Sequence, residues 1–284
     1  MKIRLSFQGA PGANSDLACR AVYPGCDTVP CFSFDDAFAA VRDGHADLAM
    51  IAVENSVAGR VADVHHLLPQ GGLAIIGEHY QPIHHRLLGV KGATLADITR
   101  VESHVQALAQ CRNWLRTHNI EPVIHADTAG AAADIARRGD KKTAAIASQL
   151  AGEIYGLDVL AENIADTGGD KGPQNTTRFL ILSKTPHVPP PSTPCITTLV
   201  FRVRSVPAAL YKALGGFATN GVNITKLESY LVDGHFTAAQ FYVDVEGHPE
   251  QAGFKLALEE LAFFAHEVKI LGTYPAHLFR RAAS

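Results

Sequence analysis

Short apolar segments alternate with amphipathic segments over the first two thirds of the chain. Residues 3–7 place apolar side chains at every second position, and residues 47–53 form an almost continuous apolar run. The first pattern is typical of a half-buried strand, and the second of a strand buried in a parallel sheet. Segments between such runs, for example the Ala-rich residues 128–138, have the pattern of helices. This alternation predicts an α/β domain with mostly parallel strands.

Capping residues place several helix starts. Ser33 with Asp36, and Ser103 with Gln106, have the spacing of capping boxes, so each pair is expected to begin a helix. Further strands are predicted at 28–31, 73–76, 122–125 and 143–147, with an extended segment at 79–90; further helices are predicted at about 14–22, capped by Asn14 or Ser15, at 61–68, and from Ser148 to Gly156.

A proline-rich linker divides the chain. Residues 183–194 contain five prolines and no periodicity, which is typical of a stiff, extended segment. Asp233-Gly234 favours a tight hairpin turn in the part that follows. There, strands are predicted at 197–203, 223–232, 236–245 and 268–274, and helices at 207–219 and 249–265. The order βαββαβ predicts an α+β domain of the ferredoxin-like kind.

Composition and charge narrow the class of protein. The 284 residues are 47% hydrophobic and 19% charged, which indicates a globular chain long enough for more than one core. A net charge of −3 argues against nucleic acid as a main partner. No apolar run is long enough to span a membrane, and the N-terminus lacks a signal-peptide core, so we expect a cytoplasmic protein that does not bind membranes.

The cysteines and histidines do not indicate a metal centre. The five cysteines are an odd number without a C-x-x-C spacing, which favours free thiols over disulfides or zinc. The fourteen histidines include the adjacent pairs His65-His66 and His84-His85, whose side chains point in different directions, and no H-E-x-x-H motif occurs. We therefore expect neither a metal nor a cofactor.

Polar loops follow several predicted strands. In open α/β sheets ligands bind beyond the carboxyl ends of the strands, and each such loop alone is more readily explained as an ordinary helix cap. The segment Asn175-Thr-Thr-Arg-Phe179, which follows the Gly/Asp-rich run 168–174, is by itself best explained as a turn with a surface arginine. The recurrence of polar residues at strand ends nevertheless favours a shared ligand site; the other loops are 8–15, 54–59, 103–106, 127–128 and 148–149.

Several motifs occur in the order found in one enzyme family. They are Gly9-Ala-Pro-Gly12, Val53-Glu-Asn-Ser56 with Gly59, Ser103-His104, Gln106-Ala-Leu108, Gln110-Cys111, Ile146-Ala-Ser148, Tyr155-Gly-Leu157 and Asn175-x-Thr177-Arg178-Phe179. With these motifs the chain resembles the prephenate dehydratases, which make phenylpyruvate in phenylalanine biosynthesis, over nearly its whole length.

The resemblance implies a two-lobed α/β catalytic domain, similar to type II periplasmic binding proteins, followed by a ferredoxin-like ACT domain. It implies a catalytic domain at 1–183, a linker at 184–195 and an ACT domain at 196–284. Lobe one would hold about 1–75 and 170–183, and lobe two about 76–169. A cleft between the lobes would bind prephenate while it loses water and CO2.

The resemblance also implies roles for single residues. It marks Thr177 as catalytic, and this hydroxyl would assist departure of the substrate hydroxyl. Arg178 would pair with a substrate carboxylate or brace its loop, and Glu54 would supply a proton if burial raises its pKa or, as we favour, hold its loop. The expected substrate-binding residues are Gly12, Asn55, Ser56, Ser103, Gln106, Thr128, Ser148, Asn175 and Phe179, the last by packing.

The C-terminal part resembles ACT domains, which commonly bind amino-acid effectors. The chain departs from the family pattern twice, because Pro207-Ala-Ala-Leu210 replaces Pro-Gly-Ala-Leu and Glu228-Ser-Tyr-Leu231 replaces Glu-Ser-Arg-Pro. Pairing of ACT domains would give a homodimer or a dimer of dimers. The implied effector is L-phenylalanine, with contacts from Ala208, Ala209, Leu210, Asn223, Ile224, Glu228 and Ser229.

Two alternatives stay open. Arogenate dehydratases carry out the same elimination on the amino analogue of prephenate. A non-catalytic ligand sensor would also suit two binding lobes with an ACT domain, although the intact motif at 175–179 argues against it. The missing signal sequence disfavours periplasmic transport, and no helical chorismate mutase segment precedes the first strand, so we expect a monofunctional enzyme.

Overall fold

The structure is a computed structural model, and it describes residues 2–166, 174–204, 206–232 and 235–282. The chain divides into two compact units, Met1–Val64 with His79–Phe179 and His65–Glu78 with Leu180–Ser284. Each unit is therefore made of two segments that are separate in sequence. The predicted boundaries of lobes, linker and ACT domain stay predictions.

One α/β lobe is built on three parallel strands near the N-terminus. Its sheet has the order β2-β1-β3-β11-β5, so a strand from late in the chain lies between two early ones. This is the order expected where the chain leaves a lobe and later returns to it. The elements are β1 (Arg4–Gln8), α1 (Asn14–Val22), β2 (Asp27–Cys31), α2 (Phe34–Arg42), β3 (Leu48–Asn55), β4 (Gly59–Arg60), α3 (Ala62–Gln70), β5 (Ala74–Pro82) and β11 (Thr176–Ser183).

The other α/β lobe lies between β5 and β11 in sequence. Its five-stranded sheet has the order β10-β6-β9-β7-β8. Strands β7, β8 and β9 pair in parallel, whereas β6 pairs antiparallel with β9 and β10. The elements are β6 (Arg86–Gly89), β7 (Arg100–Ser103), α4 (Val105–Gln110), α5 (Arg112–Thr117), β8 (Glu121–Ile124), α6 (Thr128–Arg138), β9 (Thr143–Ala147), α7 (Gln149–Tyr155) and β10 (Asp158–Ala161), with a short 3-10 turn at Leu95–Asp97.

The C-terminal elements form a four-stranded antiparallel sheet with the order β13-β14-β12-β15. Apolar side chains from this sheet and from two helices make one core, which includes Phe201, Phe217, Phe241 and Phe254. The order βαββαβ is confirmed. The elements are β12 (Cys195–Val203), α8 (Ala209–Thr219), β13 (Ile224–Val232), β14 (His235–Glu246), α9 (Ala252–Phe264), β15 (Ala265–Pro275) and a final helix α10 (Phe279–Ala282).

Most predicted elements are confirmed, and two capping predictions are wrong. The Ser33 capping box forms, and Gly156 closes α7 in the left-handed conformation. However, the N-cap of α1 is Ala13, so Asn14 and Ser15 already lie inside the helix. Ser103 does not begin a helix, because it is the last residue of β7. The predicted turn at Asp233-Gly234 and most of the run 168–174 lie outside the described residues.

The linker and the free cysteines were also predicted from sequence. Residues 184–194, all described, contain no helix or strand, as the prolines indicated. All five cysteines are free thiols, which confirms that prediction. Among the helices in the described ranges, none combines the length and the apolar character needed to cross a membrane.

Candidate active site

The adjacent ends of β3 and β11 carry two pairs of polar side chains. Asn55 Nδ2 donates to Thr177 Oγ1 at 3.0 Å, and Arg178 Nη1 donates to Glu54 Oε1 at 2.9 Å. Because successive side chains of a strand point to opposite faces, these pairs lie on opposite faces of the sheet. Thr177 is half-buried, whereas Arg178 is only 2% exposed. The open face therefore belongs to Thr177.

The buried Arg178 forms an ion pair with the half-buried Glu54, and this pair ties β3 to β11. A guanidinium this deeply buried needs a carboxylate partner, and Glu54 provides one. Sequence reasoning left Arg178 divided between a substrate clamp and a brace. The geometry favours the brace, and it likewise favours the supporting role of Glu54.

Asn55 fixes the direction of hydrogen bonding at Thr177. Its Oδ1 accepts from the backbone N–H groups of Val57 and Ala58 at 2.9 and 2.8 Å. Its Nδ2 donates to Asn175 Oδ1 at 2.7 Å and to Thr177 Oγ1 at 3.0 Å. These four bonds use both lone pairs and both N–H groups, so the amide has one orientation. The Thr177 oxygen is therefore an acceptor towards Asn55, and its own proton is available to a bound molecule.

Ser56 and Asn175 connect this cluster to its surroundings. Ser56 Oγ donates to the Gln174 carbonyl at 3.0 Å and accepts from the Thr176 N–H at 2.9 Å. Asn175, which is 4% exposed, donates from Nδ2 to Gln110 Oε1 at 2.9 Å. Since Gln110 ends α4, this last bond joins the two lobes beside Thr177.

Gly12 and Ser148 form a second contact between the lobes. Ser148 caps α7 by accepting from the Ala151 N–H at 3.1 Å, and it donates to the Gly12 carbonyl at 2.5 Å. Gly12 has φ +87°, and a Cβ built there would lie 2.7 Å from the Ala151 Cα. Tyr155 adds a bond from its hydroxyl to the Pro11 carbonyl at 2.9 Å. The loop after β1 thus packs directly on the start of α7.

Gly12→Ala is expected to destabilise the protein by roughly 2–4 kcal/mol, since an L-residue at this φ is strained and its methyl group would meet backbone. Gly25→Ala is the matched control, because Gly25 has φ +81° but nothing within 4 Å of a built Cβ. Denaturant unfolding of both variants measures the difference. Equal losses would show that the contact with Ala151 contributes nothing.

Four predicted substrate contacts differ in their burial and partners. Ser103 is fully buried, and its Oγ donates to the Ile146 carbonyl at 2.6 Å. The cap of α4 is His104, whose Nδ1 accepts from the Gln106 N–H at 3.3 Å, and the Gln106 side chain is exposed. Thr128 is half-buried at the first position of α6, which Asp127 caps. The predicted capping box of Ser103 with Gln106 is therefore wrong, and Ser103 instead holds β7 to β9.

Phe179 was expected to support the substrate by packing. It is 1% exposed and packs in the core.

Ser103→Ala is expected to lower stability by about 0.5–1.5 kcal/mol, the usual contribution of one buried hydrogen bond, and to leave catalysis nearly unchanged. Unfolding in denaturant and steady-state rates on the same preparation test both halves. A large loss of kcat/KM at unchanged stability would instead assign Ser103 to the substrate.

His85 and Gln110 join the site although sequence reasoning gave neither a role. His85 Nε2 lies 2.6 Å from Gln110 Oε1, the atom that also accepts from Asn175. His85 was noticed only as half of an adjacent pair and Gln110 only within a motif. No local pattern links positions 25 residues apart, so only the fold reveals this contact.

Two α/β lobes with polar side chains converging at their strand ends are typical of proteins that bind a small molecule. Residues 5–187 match the family model described as prephenate dehydratase. The chain belongs to the prephenate dehydratase family, and it is thus an enzyme of the hydro-lyase class.

Relatives extend the likeness over almost the whole chain. The bifunctional N-acyl-homoserine lactone acylase/prephenate dehydratase of Komagataeibacter europaeus is 52% identical over 278 residues, which are 98% of this chain and 97% of that protein. Arogenate dehydratase/prephenate dehydratase 1, chloroplastic, of Arabidopsis thaliana is 41% identical over 98% of this chain and 74% of that protein. The prephenate dehydratase of Arthrobacter aurescens, solved with L-Phe, is 32% identical with a TM-score of 0.86, covering 96% and 90% of the two chains. These findings confirm the predicted family and fold class.

Proposed function

We propose that this chain converts prephenate into phenylpyruvate, CO2 and water. The observation that supports it most is the Thr177 hydroxyl, which accepts from Asn55 and keeps its proton for a ligand. A donor of this kind can bind the oxygen that leaves the substrate ring. The open face of Thr177, at the join between the lobes, is where such a ring would bind.

The reaction needs little acid strength from the protein. The bond from the ring to its carboxylate breaks, and the electron pair moves through the ring diene as CO2 departs. The bond from the ring to oxygen breaks, and the leaving hydroxide becomes water with one proton relayed through Thr177 from solvent. Formation of an aromatic ring drives the reaction. Thr177 therefore acts by orienting and relaying a proton at a defined point.

An assay with prephenate and with arogenate, with and without L-phenylalanine, tests the proposal. We expect prephenate to be turned over with release of phenylpyruvate. Arogenate differs from prephenate only by an amine in place of the ketone. Turnover of arogenate in preference to prephenate would favour the function of an arogenate dehydratase. Turnover of neither compound by folded protein would contradict both.

A second activity, hydrolysis of N-acyl-homoserine lactones, is favoured by the 52% identity to a relative whose name includes it. Amide hydrolysis needs an activated nucleophile, and a thiol is active only as the thiolate. Burial raises the pKa of the Cys19 thiol, and it raises the pKa of the Cys111 thiol to about 12, so both thiols stay protonated near neutral pH. These two thiols are therefore poor candidates. Mass spectrometry of an N-acyl-homoserine lactone after incubation would detect free homoserine lactone, and the same assay on Thr177→Ala would show whether one site serves both reactions.

L-phenylalanine is the proposed effector of the C-terminal domain. The relative from Arthrobacter aurescens was solved with L-Phe, which supports this choice. In this chain Tyr230, where the family has Arg, accepts from Gln240 Nε2 at 2.9 Å and packs edge-on against His66 at 5.3 Å. Asn223 donates to Glu246 at 3.0 Å, and Ala209 is buried. Calorimetric titration with L-phenylalanine tests binding, and its effect on the rate tests regulation. The absence of both binding and an effect on the rate would contradict L-phenylalanine as the effector.

Ala208→Gly is expected to stabilise the protein by about 1 kcal/mol. Ala208 has φ +59°, in the left-handed region where an L-residue is disfavoured by roughly 1–2 kcal/mol. Glycine removes this strain, but it also gives the unfolded chain more conformational entropy, which offsets part of the gain. The family has Gly at this position. Denaturant unfolding measures the change, and a less stable variant would contradict the strain.

We further propose a cytoplasmic homodimer or dimer of dimers. Strands β13 and β15 are the edges of the C-terminal sheet and carry backbone groups that another chain can pair with. Free thiols fit a reducing compartment. Sedimentation over a range of concentrations tests assembly, and a monomer throughout would contradict it.

A further inference from the structure

We propose that His85 and Gln110 are positioning residues for Thr177. They stand at the far end of a series of hydrogen-bonded side chains that runs from His85 through Gln110, Asn175 and Asn55 to Thr177. The inference rests on the proposed function, since Thr177 is the group that is positioned. Neither His85 nor Gln110 donates directly to Thr177, so both act through the amides between them.

The distances along the series are those of good hydrogen bonds. His85 Nε2 lies 2.6 Å from Gln110 Oε1, and Asn175 Nδ2 lies 2.9 Å from the same oxygen. Asn55 Nδ2 then lies 2.7 Å from Asn175 Oδ1 and 3.0 Å from Thr177 Oγ1. The series connects the residue before β6 and the end of α4 in one lobe with the end of β3 and the start of β11 in the other. It therefore fixes Thr177 relative to both lobes.

The backbone determines which atom donates at every step. The N–H groups of Val57 and Ala58 require the Asn55 oxygen, which turns the Asn55 N–H groups towards Asn175 and Thr177. Asn175 then presents its oxygen to Asn55 and its N–H group to Gln110. Gln110 presents its oxygen, and so His85 must carry a proton on Nε2 and donate.

Burial of His85 and Asn175 restrains the series, and burial favours the neutral form of His85. His85 is 5% exposed and Asn175 is 4% exposed, so an unmade bond at either residue would leave a buried polar group unsatisfied. Burial also lowers the pKa of His85, which favours the neutral ring with its single N–H group. A neutral ring that donates to an amide oxygen is a fixed anchor, which is a different role from that of an acid or base.

Loss of the His85 donor should therefore reduce kcat more than it changes KM. Without that bond, Gln110 Oε1 keeps only Asn175, and the amide can turn away. A displacement of Thr177 by about 1 Å is enough to lower a rate roughly 100-fold. Thr177 acts on the leaving oxygen mainly in the transition state, so we expect KM to stay within about threefold.

Two variants at one position separate positioning from proton transfer. His85→Leu removes the donor, and we expect kcat for prephenate to fall about 10- to 100-fold. His85→Gln places an amide N–H group near the position of Nε2, and we expect it to restore kcat to within about threefold of the unaltered enzyme. Circular dichroism confirms folding of both. Equal impairment of the two variants would mean that the imidazole itself is required, which would overturn the proposal.

A double-mutant cycle tests whether the two residues act in one series. Gln110→Met removes the shared acceptor, and the double variant with His85→Leu should be no slower than the slower single variant. Independent, multiplicative losses would overturn the proposal, as would an unchanged kcat in His85→Leu. An unaltered enzyme that turns over neither prephenate nor arogenate would instead show that the proposed function is wrong. The two failures are thus distinguishable.

Discussion

Thr177→Ala is expected to lower kcat for prephenate by about 10²- to 10⁴-fold, the range typical of a lost proton-transfer group. The side chain is half-buried at the start of β11, so its removal creates no large cavity. Its hydroxyl accepts a single described bond, from Asn55 at 3.0 Å. Steady-state kinetics on protein with an unchanged circular dichroism spectrum measure the loss.

Thr177→Ser is the matched control, because it keeps the hydroxyl and removes only a methyl group. We expect it to retain kcat within about tenfold, since serine gains rotamers that threonine lacks. Near-normal turnover by folded Thr177→Ala would contradict the assignment. Equal losses in Ala and Ser variants would point to packing of the methyl group as the cause.

Arg280→Leu is expected to destabilise the unit formed by 65–78 and 180–284 by about 3–5 kcal/mol, because it removes the positive charge that faces two buried carboxylates. Arg280 donates to both oxygens of Glu78, from Nε at 2.7 Å and from Nη2 at 2.9 Å. The Glu78 side chain is 0% exposed, and the buried Asp244 carboxylate lies 3.7 Å from the same guanidinium. Denaturant unfolding followed by circular dichroism measures the loss.

Two further variants make this test specific. Arg116→Ala removes an exposed arginine and should change stability by less than about 0.5 kcal/mol. Glu78→Gln combined with Arg280→Leu removes one of the buried charges, so it should lose less stability than Arg280→Leu alone. A loss in Arg280→Leu no greater than in Arg116→Ala would contradict a structural role for the pair.

Elements whose signals are local were predicted closely. The helix at 128–138 and the strand at 143–147 have the predicted bounds. The Ala-rich composition of 128–138 favours a helix, whereas 143–147 is a short, continuously buried run of the kind that forms strands in parallel sheets. Gly139, in the left-handed conformation, ends the helix at the residue after Arg138. For this helix, the intrinsic preference of the residues and the C-terminal cap at Gly139 both specify the structure that is observed.

Ser103 shows where local signals fail. Its spacing from Gln106 suits a capping box, yet its hydroxyl instead binds the carbonyl of Ile146, 43 residues away. That buried bond within a sheet outweighs a cap that water can replace, and His104 takes the capping position. A contact so distant in sequence has no local signature.

The candidate site was predicted as a set of polar strand ends but not as a set of bonds. Which of Thr176, Thr177 and Arg178 faces Asn55 depends on how β11 lies beside β3, and these positions are more than 100 residues apart. A shift by one residue would exchange the faces and place Arg178 with Asn55. The register therefore decides which side chain faces Asn55 on the open face of the sheet.

The fixed orientation of the Asn55 amide has a consequence for how this sequence can vary. Asn175 accepts from Asn55 and donates to Gln110, and Gln110 accepts from both Asn175 and His85, so an apolar residue at position 110 or 175 removes two hydrogen bonds at once. Substitutions at positions 110 and 175 should therefore be tolerated mainly in matching pairs. In a library randomised at both positions and selected for activity, the residues at the two positions should be correlated, and few single changes should be active.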